Sequence, residues 1–96
     1  MLLGAPQYIT DSGRITVFYT YSDQVAIHLD GGFPNAVASG TCPTASGYYA
    51  GNSAPTKAML AALLSARLTG AKVSMTLSGC DGNGGWLKFS DVYIVE

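Results

Sequence analysis

Residues Ser53–Ser78, SAPTKAMLAALLSARLTGAKVSMTLS, change their hydrophobic period in the middle, and that change decides the class of fold. Ser53 is a good N-cap, Pro55 stands where a first-turn proline is tolerated, and Gly70 ends the run as a C′ residue. Between these marks, residues 56–69 read as a helix. At helical spacing Met59, Leu60, Leu63, Leu64 and Leu68 fill one half of the wheel, which predicts the core face. Ala58, Ala61, Ala62, Ser65, Ala66 and Thr69 fill the other half. That small-residue half is either simply solvated or a flat surface that lets a neighbouring helix approach, including one from a second copy of the chain. After Gly70 the period becomes two: Val73, Met75 and Leu77 point inward against Lys72, Ser74, Thr76 and Ser78.

Reading outward from this module adds four strands to its one. Residues 14–21 (RITVFYTY) are β-branched and aromatic, with Ile15, Val17, Tyr19 and Tyr21 on one face and Thr16, Phe18 and Thr20 on the other. Ser22-Asp23 offers a turn into residues 24–30 (QVAIHLD), where Val25, Ile27 and Leu29 alternate with Gln24, Ala26, His28 and Asp30. A segment rich in Gly and Pro, residues 31–44, has room for a short strand at 36–39. Residues 46–50 (SGYYA) give the third strand, with Tyr48 and Tyr49 on opposite sides of it. The last strand, residues 86–95 (WLKFSDVYIV), changes phase near Ser90-Asp91, which predicts a bulge. The expected architecture is mainly β with one helix (α+β), a single domain over residues 1–96 in the order β-β-β-α-β-β. A five-stranded Greek-key barrel with its helix between the third and fourth strands is the OB-fold. The alternative is an open antiparallel sheet with a helix across it.

Composition narrows the function classes. The 96 residues are 48% hydrophobic and 11% charged, with a net charge of −1, so the chain can bury a core and is not a disordered tail. Its five basic residues (Arg14, Lys57, Arg67, Lys72, Lys88) are scattered, whereas nucleic-acid binding needs clustered cations. The longest apolar stretch is too short and interrupted to span a bilayer, so no membrane insertion is expected. The first residues, MLLGAP, lack the cationic start and long apolar core of a secretory signal. Either the protein is cytosolic, or Met1 replaced an export signal. Cys42 and Cys80 bear on that choice. They form no CxxC, and one histidine cannot complete a four-ligand zinc site, so no metal or other cofactor is expected. An even pair in so small a chain reads as a disulfide, hence a secreted or periplasmic protein; two unrelated buried thiols are the alternative. Closing a loop of about 39 residues would stabilise the fold by roughly 4 kcal/mol in the chain-entropy picture.

The helix KAMLAALLSARLTG, the strand AKVSMTLSGC, the tyrosine-bearing segment and the closing WLKFSDVYIV together resemble a group of small, usually exported bacterial hypothetical proteins. That resemblance covers residues 14–95. Residues 53–77 are also distantly similar to the binding subunits of subtilase cytotoxin and typhoid toxin, which are OB-fold pentamers that bind sialylated glycans. The resemblance implies an OB-fold, export and oligomerisation. It transfers no sugar site, because Leu29-Asp30-Gly31-Gly32-Phe33-Pro34 departs from the toxin pattern around its sugar-binding serine.

Enzyme signatures are weak. His28 and Asp30 share the outward face of one strand, half of a nucleophilic triad, but no Gly-x-Ser-x-Gly elbow accompanies them, and the pair reads more simply as solvated strand positions. Asp81-Gly82-Asn83-Gly84 imitates the start of a calcium loop, yet the closing Glu is missing. The chain is therefore expected not to be an enzyme. Candidate ligand-binding residues are the rings Tyr48, Tyr49, Phe33 and Trp86 with the amide of Asn35, joined by Tyr21, Ser46, Asn52 and Asn83 as further exposed groups. Rings cover apolar faces and amides read hydroxyls, a combination suited to neutral ligands such as sugars. Tyr19 and Phe89 are expected in the core. The leading expectation is a binding module for a glycan or a protein; the other is an assembly protein that oligomerises through the small-residue face of helix 56–69.

Overall fold

The computed structural model describes residues 9–81 and 85–95. It is mainly β with one main helix, an α+β fold. The elements are β1 (Ile9–Tyr21), β2 (Gln24–Leu29), α1 (Pro34–Ser39), β3 (Ala50–Asn52), α2 (Lys57–Thr69), β4 (Lys72–Asp81) and β5 (Trp86–Ile94). Hydrogen-bonded neighbours follow the order β1-β2-β3-β5-β4, and β4 returns to β1, so the sheet closes into a barrel. All pairs are antiparallel except β3 with β5, which is parallel and has only Ala50↔Leu87 and Gly51↔Lys88 in register. The open-sheet alternative is excluded by this closure.

Closure depends on the length of β1. Its first half, Ile9–Arg14, pairs with β4, and its second half, from Ile15 onward, pairs with β2. The register shifts between Ile15 and Val17, a bulge that bends the strand from one partner to the other. The bulge also changes which side chains point inward. Asp11, Gly13 and Ile15 are buried, but beyond the bulge Phe18 packs against the core and Tyr19 is 41% exposed. The expectation of one unbroken face through Ile15, Val17, Tyr19 and Tyr21 is thus corrected, and Tyr19 is a surface ring. The Tyr21 side chain lies outside the described residues, as do Gly82, Asn83 and Gly84. The bulge expected in β5 is present, since Thr76 faces Asp91 while Leu77 faces Phe89.

Two segments before β3 differ from expectation. Residues 34–39 form helix α1, not a strand, making the element order β-β-α-β-α-β-β. Pro34 occupies its first turn and Gly40 ends it in the left-handed region (φ 71°). Its exposed N–H groups are capped from another element: Asn35 N and Ala36 N donate to the two carboxylate oxygens of buried Asp11 at 3.0 Å each. Residues 46–49 are not a strand either. Gly47 sits at φ 86° and Tyr48 N donates to Ser46 Oγ, so the chain turns before it reaches β3 at Ala50.

Helix α2 plugs the barrel with less of its surface than its leucines suggest. Thr56, rather than Ser53, is the cap, its hydroxyl accepting from Met59 N at 3.0 Å. Leu63 and Ala66 are fully buried, with Met59 and Leu60 packed against the core. Leu64 is 51% and Leu68 77% exposed, because the row Met59, Leu63, Ala66 faces the core and Leu68 lies about 180° round the helix from it. The small-residue half is correspondingly divided. Ala66 and half-buried Ala62 face inward, while Ala58, Ala61, Ser65 and Thr69 face out. The small-residue face expected to be available to a second copy is therefore partly consumed within the chain. The rest of the core comprises Val25, Ile27, Leu29, Phe33, Val73, Met75, Leu77, Leu87 and Phe89.

Leu63→Ala should lower stability by about 2–5 kcal/mol, the range for a fully buried leucine, whereas Leu68→Ala should change it by less than about 0.5 kcal/mol. Urea midpoints of the two variants check this, and equal losses would contradict the described seating of α2.

Candidate ligand-binding face

The sheet register lines up Tyr19, Ala26, Gly51 and Lys88 in one row across β1, β2, β3 and β5. Directly opposed residues share a face, so the small residues Ala26 and Gly51 make a low floor beside Tyr19. Both are buried. Trp86 lies across Gly51: a Cβ there would collide with the indole, standing 3.2 Å from its Cζ3 and closer still to Cε3. Glycine at 51 thus makes room for the ring. Tyr49 completes a triangle, with centroid separations of 6.1 Å to Tyr19, 6.0 Å to Trp86, and 6.2 Å between Tyr19 and Trp86.

The cluster continues along the segment before β3. Tyr48 meets Tyr49 edge to face at 4.8 Å, so the tandem rings are neighbours on one surface and not on opposite sides of a strand. Tyr48 is also stacked on His28, with centroids 3.9 Å apart and planes within 13°. The Tyr48 carbonyl lies 2.6 Å from His28 Nδ1; a carbonyl can only accept, so Nδ1 carries the proton and donates. His28 touches Phe33 at 6.5 Å on another side. Phe33 is buried and supports the face from beneath, without surface of its own. Tyr48, 47% exposed, is therefore a partly open ring held by its carbonyl, by the stacked His28 and by contact with Tyr49.

A covalent anchor holds this segment in place. Cys42 and Cys80 form a disulfide with Cα atoms 5.2 Å apart. Beside it, Gly79 N donates to Thr41 Oγ1 at 2.7 Å, and Leu87 N donates to the Tyr49 carbonyl at 3.1 Å. The bridge and these bonds tie residues 41–49 to the β4–β5 hairpin, where Cys80 pairs with Leu87 and Asp81 with Trp86. Rings from two distant parts of the chain are brought together by this tie.

Of the expected ligand residues, Tyr48, Tyr49 and Trp86 converge. Asn35 does not: its side chain donates to the Thr10 carbonyl, and it belongs to the junction of β1 and α1. Asn52 is committed within the fold, donating to the Phe89 carbonyl and accepting from Ala54 N. Tyr19 and His28 join the face although the sequence reading placed neither there. The reason for Tyr19 is the bulge. For His28 the signal is its outward position, but nothing local marks its partner in a tandem 20 residues away. Asp30 is exposed, and the hydrogen bond described for His28 goes to a carbonyl, not to that carboxylate. Among the described residues no three His, Cys, Asp or Glu side chains gather to hold a metal. A shallow groove of about 550 Å³ lies elsewhere, between the β1–β2 turn and the start of α2, lined by Thr20, Asp23, Gln24, Pro55 and Leu60. It contains none of the rings of the aromatic face.

Reduction of the disulfide should cost about 2–4 kcal/mol of stability and weaken the near-ultraviolet dichroism of the clustered rings. Gly51→Ala should weaken the same signal in the oxidised protein by displacing Trp86. An unchanged spectrum in both cases would contradict the geometry above.

No protein-family model, curated protein or solved structure matches the chain.

Proposed function

We propose that this chain is a non-catalytic, glycan-binding module of the OB-fold class, working outside the cytoplasm of a bacterium. The observation that carries the reading is the continuous surface of Tyr19, Tyr49, Trp86 and Tyr48, partly exposed and braced from beneath. Exposed rings fixed in place lose little entropy on binding and offer π-faces to the C–H faces of sugar rings. The OB-fold reading is supported by the strand order β1-β2-β3-β5-β4 with α2 between β3 and β4. In that class, ligands commonly meet one barrel face and its adjoining loops, which is where these rings lie. The disulfide is compatible with an oxidising compartment. His28 Nδ1 donates to the Tyr48 backbone carbonyl, the position a carboxylate takes in a nucleophilic triad, which favours binding over hydrolysis. The distant likeness to toxin binding subunits points in the same direction.

One observation favours a second reading, assembly into a homo-oligomer: Leu64 and Leu68 project from α2 into solvent. On this reading the contact runs through the leucines, since the alanine side is partly used by the barrel. Light scattering separates a monomer from a defined oligomer.

Screening the oxidised protein on a glycan array should give specific retention, and Trp86→Ala should reduce it by about tenfold or more, as for a central aromatic anchor. An array with no retained glycan would refute the proposal, and a defined oligomer found alongside that silence would favour assembly.

A further inference from the structure

The aromatic face is not flat. Tyr49 is half-buried and lies between two exposed rings, Tyr19 at 6.1 Å and Tyr48 at 4.8 Å. Tyr48 stands at 88° to Tyr49, whereas Tyr19 is tilted from Tyr49 by only 32°. The ring planes of Tyr19 and Tyr48 are therefore steeply inclined to each other, with the less exposed Tyr49 between them. Trp86, at 88° to Tyr19, makes a wall beside the first of them. Tyr48 is held against swinging into the plane of Tyr19, because His28 covers one of its faces and binds its carbonyl.

These angles constrain the ligand. One pyranose covers about one aromatic ring, so a single sugar satisfies one exposed face and leaves the other in water. A ribbon-like chain, whose units share a plane, meets one face squarely and the other at its edge. Charge adds a second constraint. Lys88 is two residues from Trp86 on the same side of β5, Asp81 is directly opposite Trp86 in the β4–β5 ladder, and Asp30 is two residues from His28 on β2. The exposed charges beside the rings are thus of both signs, Lys88 near Trp86 and Asp30 near His28, while Asp81 Oδ2 is buried, so the face offers no cluster of cations to an anionic sugar.

We propose that the face takes a soluble, neutral oligosaccharide of at least two units joined by a bent linkage. One unit lies against Tyr19 and Trp86, the next lies on Tyr48, and the linkage crosses Tyr49. This assignment rests on the glycan reading and narrows it. It also gives His28 a role as a positioning residue that holds the second platform at its angle.

Calorimetric titration of the oxidised protein with glucose, maltose, maltotriose, cellotriose and sialyllactose tests the assignment. Affinity should rise about tenfold or more from glucose to maltotriose as the second ring is covered. Maltotriose should bind more tightly than either cellotriose or sialyllactose. Tyr48→Ala, at an exposed position, should remove most of the gain from chain length and bring maltotriose down toward the affinity of glucose; Tyr19→Ala should weaken glucose and maltotriose alike. Equal affinity for glucose and maltotriose, full maltotriose affinity in Tyr48→Ala, or tighter binding of sialyllactose would each overturn the assignment. If the array retains glycans and these neutral sugars do not bind, the assignment fails and the glycan reading stands. Silence in both assays overturns both.

Discussion

Closure of the barrel at β3 is the constraint on which everything else depends. Four of the five pairings are antiparallel, and three of those four are long ladders, but β3 has three residues and its parallel seam with β5 only two pairs. So short a seam supplies few hydrogen bonds, and parallel pairing is slightly weaker per residue. It is reinforced from both ends. The Leu87 N–H bond to the Tyr49 carbonyl extends it by one step, Asn52 reaches across to the Phe89 carbonyl, and the Cys42–Cys80 bridge fastens the incoming chain to the strand beside β5. Closing a long loop in the unfolded chain is what makes such a bridge effective.

The same seam creates the candidate site. A short strand that must pair quickly after a turn leaves its preceding residues on the outside, which is why Tyr48 and Tyr49 share one surface. Gly51 within the seam admits Trp86 from β5, and the bulge in β1 turns Tyr19 toward them. Each of these devices is a departure from regular β structure, and the face exists where the three coincide. Its rigidity has a separate source. His28 stacks beneath Tyr48 and is itself set against buried Phe33, so the exposed platform is tied through two rings to the core. Preorganised rings leave less freedom to be lost when a ligand arrives.

Helix α1, whose cap residue Phe33 contacts His28, is organised by a single carboxylate. Asp11 is buried in β1, and its carboxylate accepts from the first N–H groups of α1, holding that helix against β1. A buried acid with both oxygens occupied by backbone donors is well satisfied, and losing it would leave helix N–H groups without partners. This junction also explains why Asn35, adjacent to the cap, faces the strand and not a ligand.

The sequence by itself determined the elements whose signals are local. Helix α2 is marked by its period and by Gly70, β2 and β4 by alternation, and the β5 bulge by a change of phase at Ser90, although Ala26, Ser74 and Thr76, outward by alternation, are buried because neighbouring elements cover that face as well. The disulfide was legible from the small chain and the even cysteine count. Helix α1 carried the same Pro and Gly punctuation as α2, yet at six residues it has little period to read, and its decisive cap comes from Asp11, 24 residues away. The aromatic face was half legible: Tyr48, Tyr49 and Trp86 are recognisable as rings among small polar residues. Unbroken alternation implies a core position for Tyr19, and a bulge forced by the change of partner strand has no mark in the residues themselves. Which leucines of α2 are buried is likewise decided by the rotation of the helix against the sheet. Periodicity reports which residues share a face of an element, but only the packed structure sets how much of that face its neighbours can cover.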